Sequence, residues 1–127
     1  MVARDYDGGN TTGFVSPAGD ALEGPIDLSE MLDLARPHRY TARVLGDGLR
    51  ERGIFHHDVL IVDASAAPTA GRVCIAFVQG EVLVAELALR AGGWWLKPSL
   101  ERLEPISLSG DGVELWGLVC GLVRAEV

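Results

Sequence analysis

The sequence predicts a mostly β fold in a single domain, on three observations. Six stretches rich in β-branched and aromatic residues succeed one another from residue 39 to the end, separated by Gly, Pro and Asp residues of the kind that turn a chain. One segment only, near residue 28, repeats its apolar residues at helical spacing. And 127 residues, 48% of them hydrophobic, suffice for one packed core and little beyond it.

Residues 1–12, MVARDYDGGNTT, read as a flexible arm, because their glycines, asparagine and threonines leave almost nothing to bury. Within them DYDGGN has too few carboxylates, wrongly spaced, for a calcium loop. The domain proper is placed at residues 13–127. It opens with a Gly- and Pro-rich loop over 13–26, anchored by Phe14, Val15 and Leu22. A short helix follows: Asp27 caps it, Glu30 stands three residues on, Leu28, Met31, Leu32 and Ala35 share one face, and Pro37 stops it. That face is expected to point into the core.

The remainder reads as strands: RYTARVL, DVLIVD, GRVCIAFV, EVLVAELALR, GWWLKP and GVELWGLVCGLVRAEV. Gln79-Gly80 between two apolar runs signals a hairpin. In EVLVAELALR one face carries Leu83, Ala85, Leu87 and Leu89, and the other includes Glu86 and Arg90. RVCIAFV is apolar on both faces and is expected at the centre of the sheet.

Charge narrows the function. Eighteen acidic residues against eleven basic give a formal net charge of −7. The ten arginines are scattered and Lys97 is the only lysine, so no direct nucleic-acid binding is expected. No apolar run approaches the roughly 20 residues that span a bilayer, and the polar start does not resemble a signal peptide. A cytoplasmic protein without membrane contact is the expectation. Cys74 and Cys120 sit in apolar runs and read as buried free thiols. Neither metal nor cofactor is expected.

One stretch asks for an explanation. In VLGDGLRERGIFHHDVLIVD a glycine, Gly48, occupies a tight turn between two apolar runs. Taken together, GFVSPAGDALEGPIDLSEML, VLGDG, GIFHHDVLIVD, GEVLVAELALR and the Pro98…Pro105-Ile106 spacing resemble the carboxy-terminal domain of the UmuD and LexA family, the UmuD branch above all. The resemblance implies a twisted, partly closed β-sheet with one short helix. It also implies an activity, since that family cuts its own chain with a serine nucleophile and a neutral lysine that takes its proton.

The family's serine lies in a Gly-Asp-Ser-Met turn, where this chain has Gly46, Asp47, Gly48 and Leu49. Its lysine follows the Gly-Glu hairpin, where this chain has Val84, Ala85 and Glu86. The interval between Gly48 and Ala85 agrees with the family's register. Both catalytic side chains are therefore absent, and a pseudo-peptidase is expected. The cleavage site has also drifted: Gly13 is preceded by Thr12, in place of Ala or Cys. With only 12 residues ahead of Gly13, the chain resembles a permanent version of the processed form. Leu49 for methionine and Glu86 for a basic residue favour natural divergence over engineered knockout.

Other candidates have plainer readings. Lys97, across the AGG turn, is a solvated strand-end lysine with no serine at position 48 to assist. Ser16, Ser99, Ser107 and Ser109 are turn or strand-edge serines. His56 and His57 point to opposite sides without a third ligand nearby. Trp94, Trp95 and Trp116 serve either an interface or the core. In the last strand Trp116, Leu118, Cys120 and Leu122 fall on one face and Val113, Leu115, Val119 and Val123 on the other. Two apolar faces need cover, so a homodimer through the first set is expected.

The resemblance then implies a protein that works by protein–protein contact in the SOS response or translesion DNA synthesis. Its partners would be a UmuC-like error-prone polymerase or UmuD-like subunits. The alternatives are a peptidase using unmatched residues and a stand-alone decoy or structural dimer.

Overall fold

The computed structural model describes residues 24–99 and 104–125. The described residues belong to two compact units that meet between Ala35 and Arg36. The expected arm over residues 1–12, most of the loop over 13–26 and the Thr12–Gly13 pair lie outside the described residues.

The first unit contains α1 (Leu28–Met31). Asp27 caps it as expected, its Oδ1 accepting from the Glu30 N–H at 3.4 Å. The helix is only four residues long, and its apolar face is not core-facing: Leu28 is 55% and Met31 67% exposed. It stops early because Asp33 turns to φ 52, a left-handed conformation that Asp tolerates, four residues before Pro37.

The second unit is one antiparallel sheet of seven strands: β1 (Arg39–Arg43), β2 (Val59–Asp63), β3 (Val73–Val78), β4 (Glu81–Arg90), β5 (Gly93–Lys97), β6 (Ile106–Ser107) and β7 (Val113–Val123). Their spatial order is β1-β2-β7-β3-β4-β5-β6, so the sheet does not close and β1 and β6 are its edges. The mostly β expectation holds, and β3 takes the central position read from its two apolar faces. Gln79 and Gly80 link β3 to β4 with φ 46 and 89, the paired positive angles of a turn whose twist matches that of the strands. The two-residue β6 is too short to leave a pattern in the sequence.

Alternation along the strands produces two cores on opposite faces. Leu60, Val62, Val73 and Ile75 pack on one, under Val44, Leu49 and Ile54 from the β1–β2 connection. Cys74, Ala76, Ala85, Leu87, Leu96 and Leu118 form the other. Each fully buried Leu or Ile contributes about 1.5–3 kcal/mol.

β7 breaks the period of two twice. Ile75 faces Gly117 while Ala76 faces Leu115, leaving Trp116 as an extra residue. Ile61 faces Gly121 while Val62 faces Val119, leaving Cys120 as a second. These bulges overturn the expected face. Leu118 is 1% exposed inside the second core and is withheld from any partner, whereas Trp116, Cys120 and Leu122 are exposed. Val113 and Leu115 join Leu118, while Val119 turns to the opposite core. Trp116 stacks on Phe77 with centroids 5.2 Å apart, and its Nε1–H donates to Glu114 Oε1 at 2.9 Å. Gly117 lets β7 pass β2 at the bulge: a Cβ there would stand 2.7 Å from Val62 Cγ1 and 2.9 Å from the Asp63 carbonyl.

Both cysteines are free, as expected, but only Cys74 is buried, where desolvation pushes its thiol up to about 12. Cys120 is exposed because it is a bulge residue.

Candidate functional site

The connection from β1 to β2 builds the site. It is closed at its base by two backbone hydrogen bonds, from Val44 N–H to the Asp58 carbonyl at 2.8 Å and from His57 N–H to the Val44 carbonyl at 2.7 Å. Within it Leu49 drops into the first core, and its carbonyl accepts from Arg52 and Ile54 N–H groups. Gly46 takes φ 86, and its N–H donates to His56 Nδ1 at 2.7 Å. A single 3₁₀ turn at Arg50–Arg52 follows, ended by Gly53.

Gly48 has φ 60, a region L residues rarely occupy. A Cβ at that position would lie 2.9 Å from the Ile54 carbonyl oxygen and 3.0 Å from Val44 Cγ1. The turn has thus settled into a conformation that only glycine fits.

Gly48 borders a cleft of about 370 Å³. Val44, Leu60, Ile75 and Val84 supply apolar walls, and Asp47, Arg43 and Ser99 supply polar ones. Val82, Leu83 and Val84 line it consecutively. Successive strand side chains point to opposite faces, so three in a row mean that the backbone faces the cleft. β4 pairs with β5 only over Glu86–Arg90, and among the described residues no strand pairs with Glu81–Ala85 on that side. The cleft therefore has an apolar floor and, over Val82–Val84, a strand edge that no described strand covers.

Ala85 departs from the expected arrangement. It lies opposite Cys74 and is fully buried in the second core, whereas its neighbour Val84 lines the cleft. In this packing the Gly48 and Ala85 positions are not brought into one cleft. The residues that reach the turn are Glu86 and Lys97, which with Leu49 and Arg52 line a separate small hollow. Arg52 pairs with Glu86 and also donates to the Gly71 carbonyl at 3.0 Å, clamping the turn to β4. Lys97 Nζ is 3.8 Å from Glu86 Oε1.

A second hollow, of about 500 Å³, lies on the other side of the connection and includes Arg43, Phe55, His56, His57 and Arg124. Asp58 is its anchor. Its buried carboxylate accepts from Arg124 Nε at 2.7 Å and Nη2 at 2.6 Å, and from the Phe55 N–H at 2.8 Å. Arg124 also donates to the Gly53 carbonyl at 2.8 Å and lies over the Phe55 ring. The Arg124 hydrogen bonds hold the Asp58 carboxyl down at about 2. Sequence reading missed this pair. Its members are 66 residues apart, and the only local hint was an aspartate at the start of a strand.

The open antiparallel sheet of seven strands, with the Gly48 turn bordering its cleft, defines the class as a mostly β domain. The chain belongs to the Peptidase S24-like family, whose model matches residues 6–120. This is the LexA and UmuD family that the sequence resembles. Among its relatives, the LexA repressor of Syntrophobacter fumaroxidans is 34% identical over 115 residues, covering 87% of this chain and 55% of the repressor. The LexA repressor of Alcanivorax borkumensis is 30% identical over 112 residues, covering 88% and 54%. Protein ImpA of Salmonella typhimurium is 34% identical over 117 residues, covering 88% of this chain and 77% of ImpA. The chain spans about half the length of the LexA repressors it matches. No helix among the described residues is long and apolar enough to cross a membrane.

Proposed function

We propose that this chain is a catalytically inactive member of its family that acts by holding other protein segments. The observation that carries the reading is Gly48: the position has no oxygen, and its φ and crowding admit no side chain. Loss of the nucleophile costs a serine hydrolase on the order of 10⁶ in rate. What remains is a cleft with an apolar floor and a free backbone edge on β4, which suits an extended segment added by strand pairing. The setting is the SOS response or translesion DNA synthesis, the chain being an accessory or regulatory subunit of an error-prone Y-family polymerase. Its partners are a UmuC-like polymerase or UmuD-like subunits. It forms a homodimer through the exposed Trp116, Cys120 and Leu122.

Purified protein incubated at alkaline pH is expected to stay whole. A fragment beginning at Gly13, found by mass spectrometry, would overturn the reading. Titration with an extended peptide spanning Thr12–Gly13 is expected to perturb amide signals of Val82–Val84, and silence at those amides would remove the cleft from the proposal. Affinity purification from DNA-damaged cells identifies the partner.

A further inference from the structure

We infer that the hollow beside Asp58 binds a phosphoryl group, free or carried on a nucleotide, with Arg43, His56 and His57 as its donors. The chain carries a formal net charge of −7, yet folding gathers Arg43, Arg124, His56 and His57 on this one hollow, with Arg50 5.7 Å from the centroid of its Phe55 ring. Among the described residues the one carboxylate lining the hollow is already engaged. Asp58 is saturated by Arg124 and the Phe55 N–H. Asp47 stands 3.9 Å from Arg50.

Arg43 is different. Its guanidinium makes one hydrogen bond, at 3.4 Å to the His57 carbonyl, and among the described residues no carboxylate pairs with it. That leaves the remaining N–H donors of a planar fork at a residue that lines both this hollow and the first cleft, a group able to grip a phosphoryl group at two oxygens.

The histidines are held ready beside it. The Gly46 N–H donates to His56 Nδ1, so that nitrogen is the acceptor and Nε2 carries the ring proton, leaving it as a donor. The His57 ring lies 3.7 Å from that of His56, centroid to centroid, and not on the opposite side as strand geometry predicts, because both residues stand in a turn where His57 takes φ 75. Phe55 and Arg124 form an aromatic and cationic wall, with the guanidinium 5.0 Å from the ring centroid. At about 500 Å³ the hollow exceeds what a bare phosphate fills, leaving room for an attached group with a flat face.

The test is a titration of the whole protein, at constant ionic strength, with sodium phosphate, adenosine monophosphate and sodium acetate, following the ring signals of His56 and His57 by NMR. Phosphate is expected to move both sets saturably, and acetate is not. Arg43→Gln is expected to weaken binding at least about tenfold, the loss of one bidentate charge-assisted contact. Arg90→Gln removes the same charge from the far end of β4 and is expected to change nothing. His57→Asn tolerates the positive φ at that position and is expected to weaken binding while the fold persists. Adenosine monophosphate binding at least as tightly as phosphate assigns a nucleotide; phosphate binding alone assigns the free ion. An unsaturable response, an equal response to acetate, or an equal loss in Arg90→Gln would overturn the inference.

Discussion

At the scale of single residues, Gly48 decides the reading. The turn that carries it, Gly46-Asp47-Gly48-Leu49, stood out in the sequence, but the crowding at Gly48 was not legible there, because the obstructing atoms belong to Ile54 and Val44. Gly48→Ser is expected to lower stability by about 1–3 kcal/mol, the cost of a strained φ and a steric conflict, measured by urea denaturation. The Gly48→Ser/Ala85→Lys pair is expected to lose more, since position 85 is sealed in the second core, and to produce no self-cleavage on a gel. Asp58 governs the acid limit. Its carboxyl sits at about 2 when folded against an ordinary 3.8, so the unfolded chain binds the extra proton between those values. The stabilisation is therefore complete above roughly pH 4 and drains away as pH falls toward 2. Asp58→Asn is expected to lower the melting temperature by several degrees near neutrality and to flatten its decline between pH 4 and 2, as read from melts across that range.

At the scale of elements, strands were legible wherever alternation or a long apolar run persisted. β4 runs over the residues its pattern marked, and β3 is central because both its faces are apolar. β7 misled because its bulge at Trp116 shifts the phase of the side chains that follow until the bulge at Cys120 restores it, and a bulge is specified by neighbouring strands rather than by its own residues. That is why Leu118 was assigned to the wrong company. The helix was misjudged differently: capping and spacing were present, yet a left-handed Asp33 ends it after one turn. Gly117 is the glycine that makes the first bulge possible. Gly117→Ala is expected to cost about 1–3 kcal/mol by forcing β7 away from Val62, with a corresponding fall in the thermal midpoint.

At the scale of the whole molecule, charge and apolar surface are unevenly distributed. The scattered arginines of the sequence hid the fact that two arginines and two histidines converge on one hollow, because convergence is a property of the fold and not of spacing. Two exposed apolar residues, Val82 and Trp116, flank Phe77 at neighbouring positions of β4, β3 and β7. Trp116→Glu is expected to shift the protein toward monomer in sedimentation velocity while leaving the melting temperature nearly unchanged, since the side chain is 39% exposed. An unchanged sedimentation profile would remove Trp116 from the interface.

The conformation at Gly48 also bears on history. A hydroxymethyl group introduced by one codon change would face a carbonyl at less than van der Waals distance. On the proposed loss of a serine there, reversal would demand a second, simultaneous rearrangement of the neighbouring segment, and the change would behave as a ratchet: easy to pass once, and closed behind.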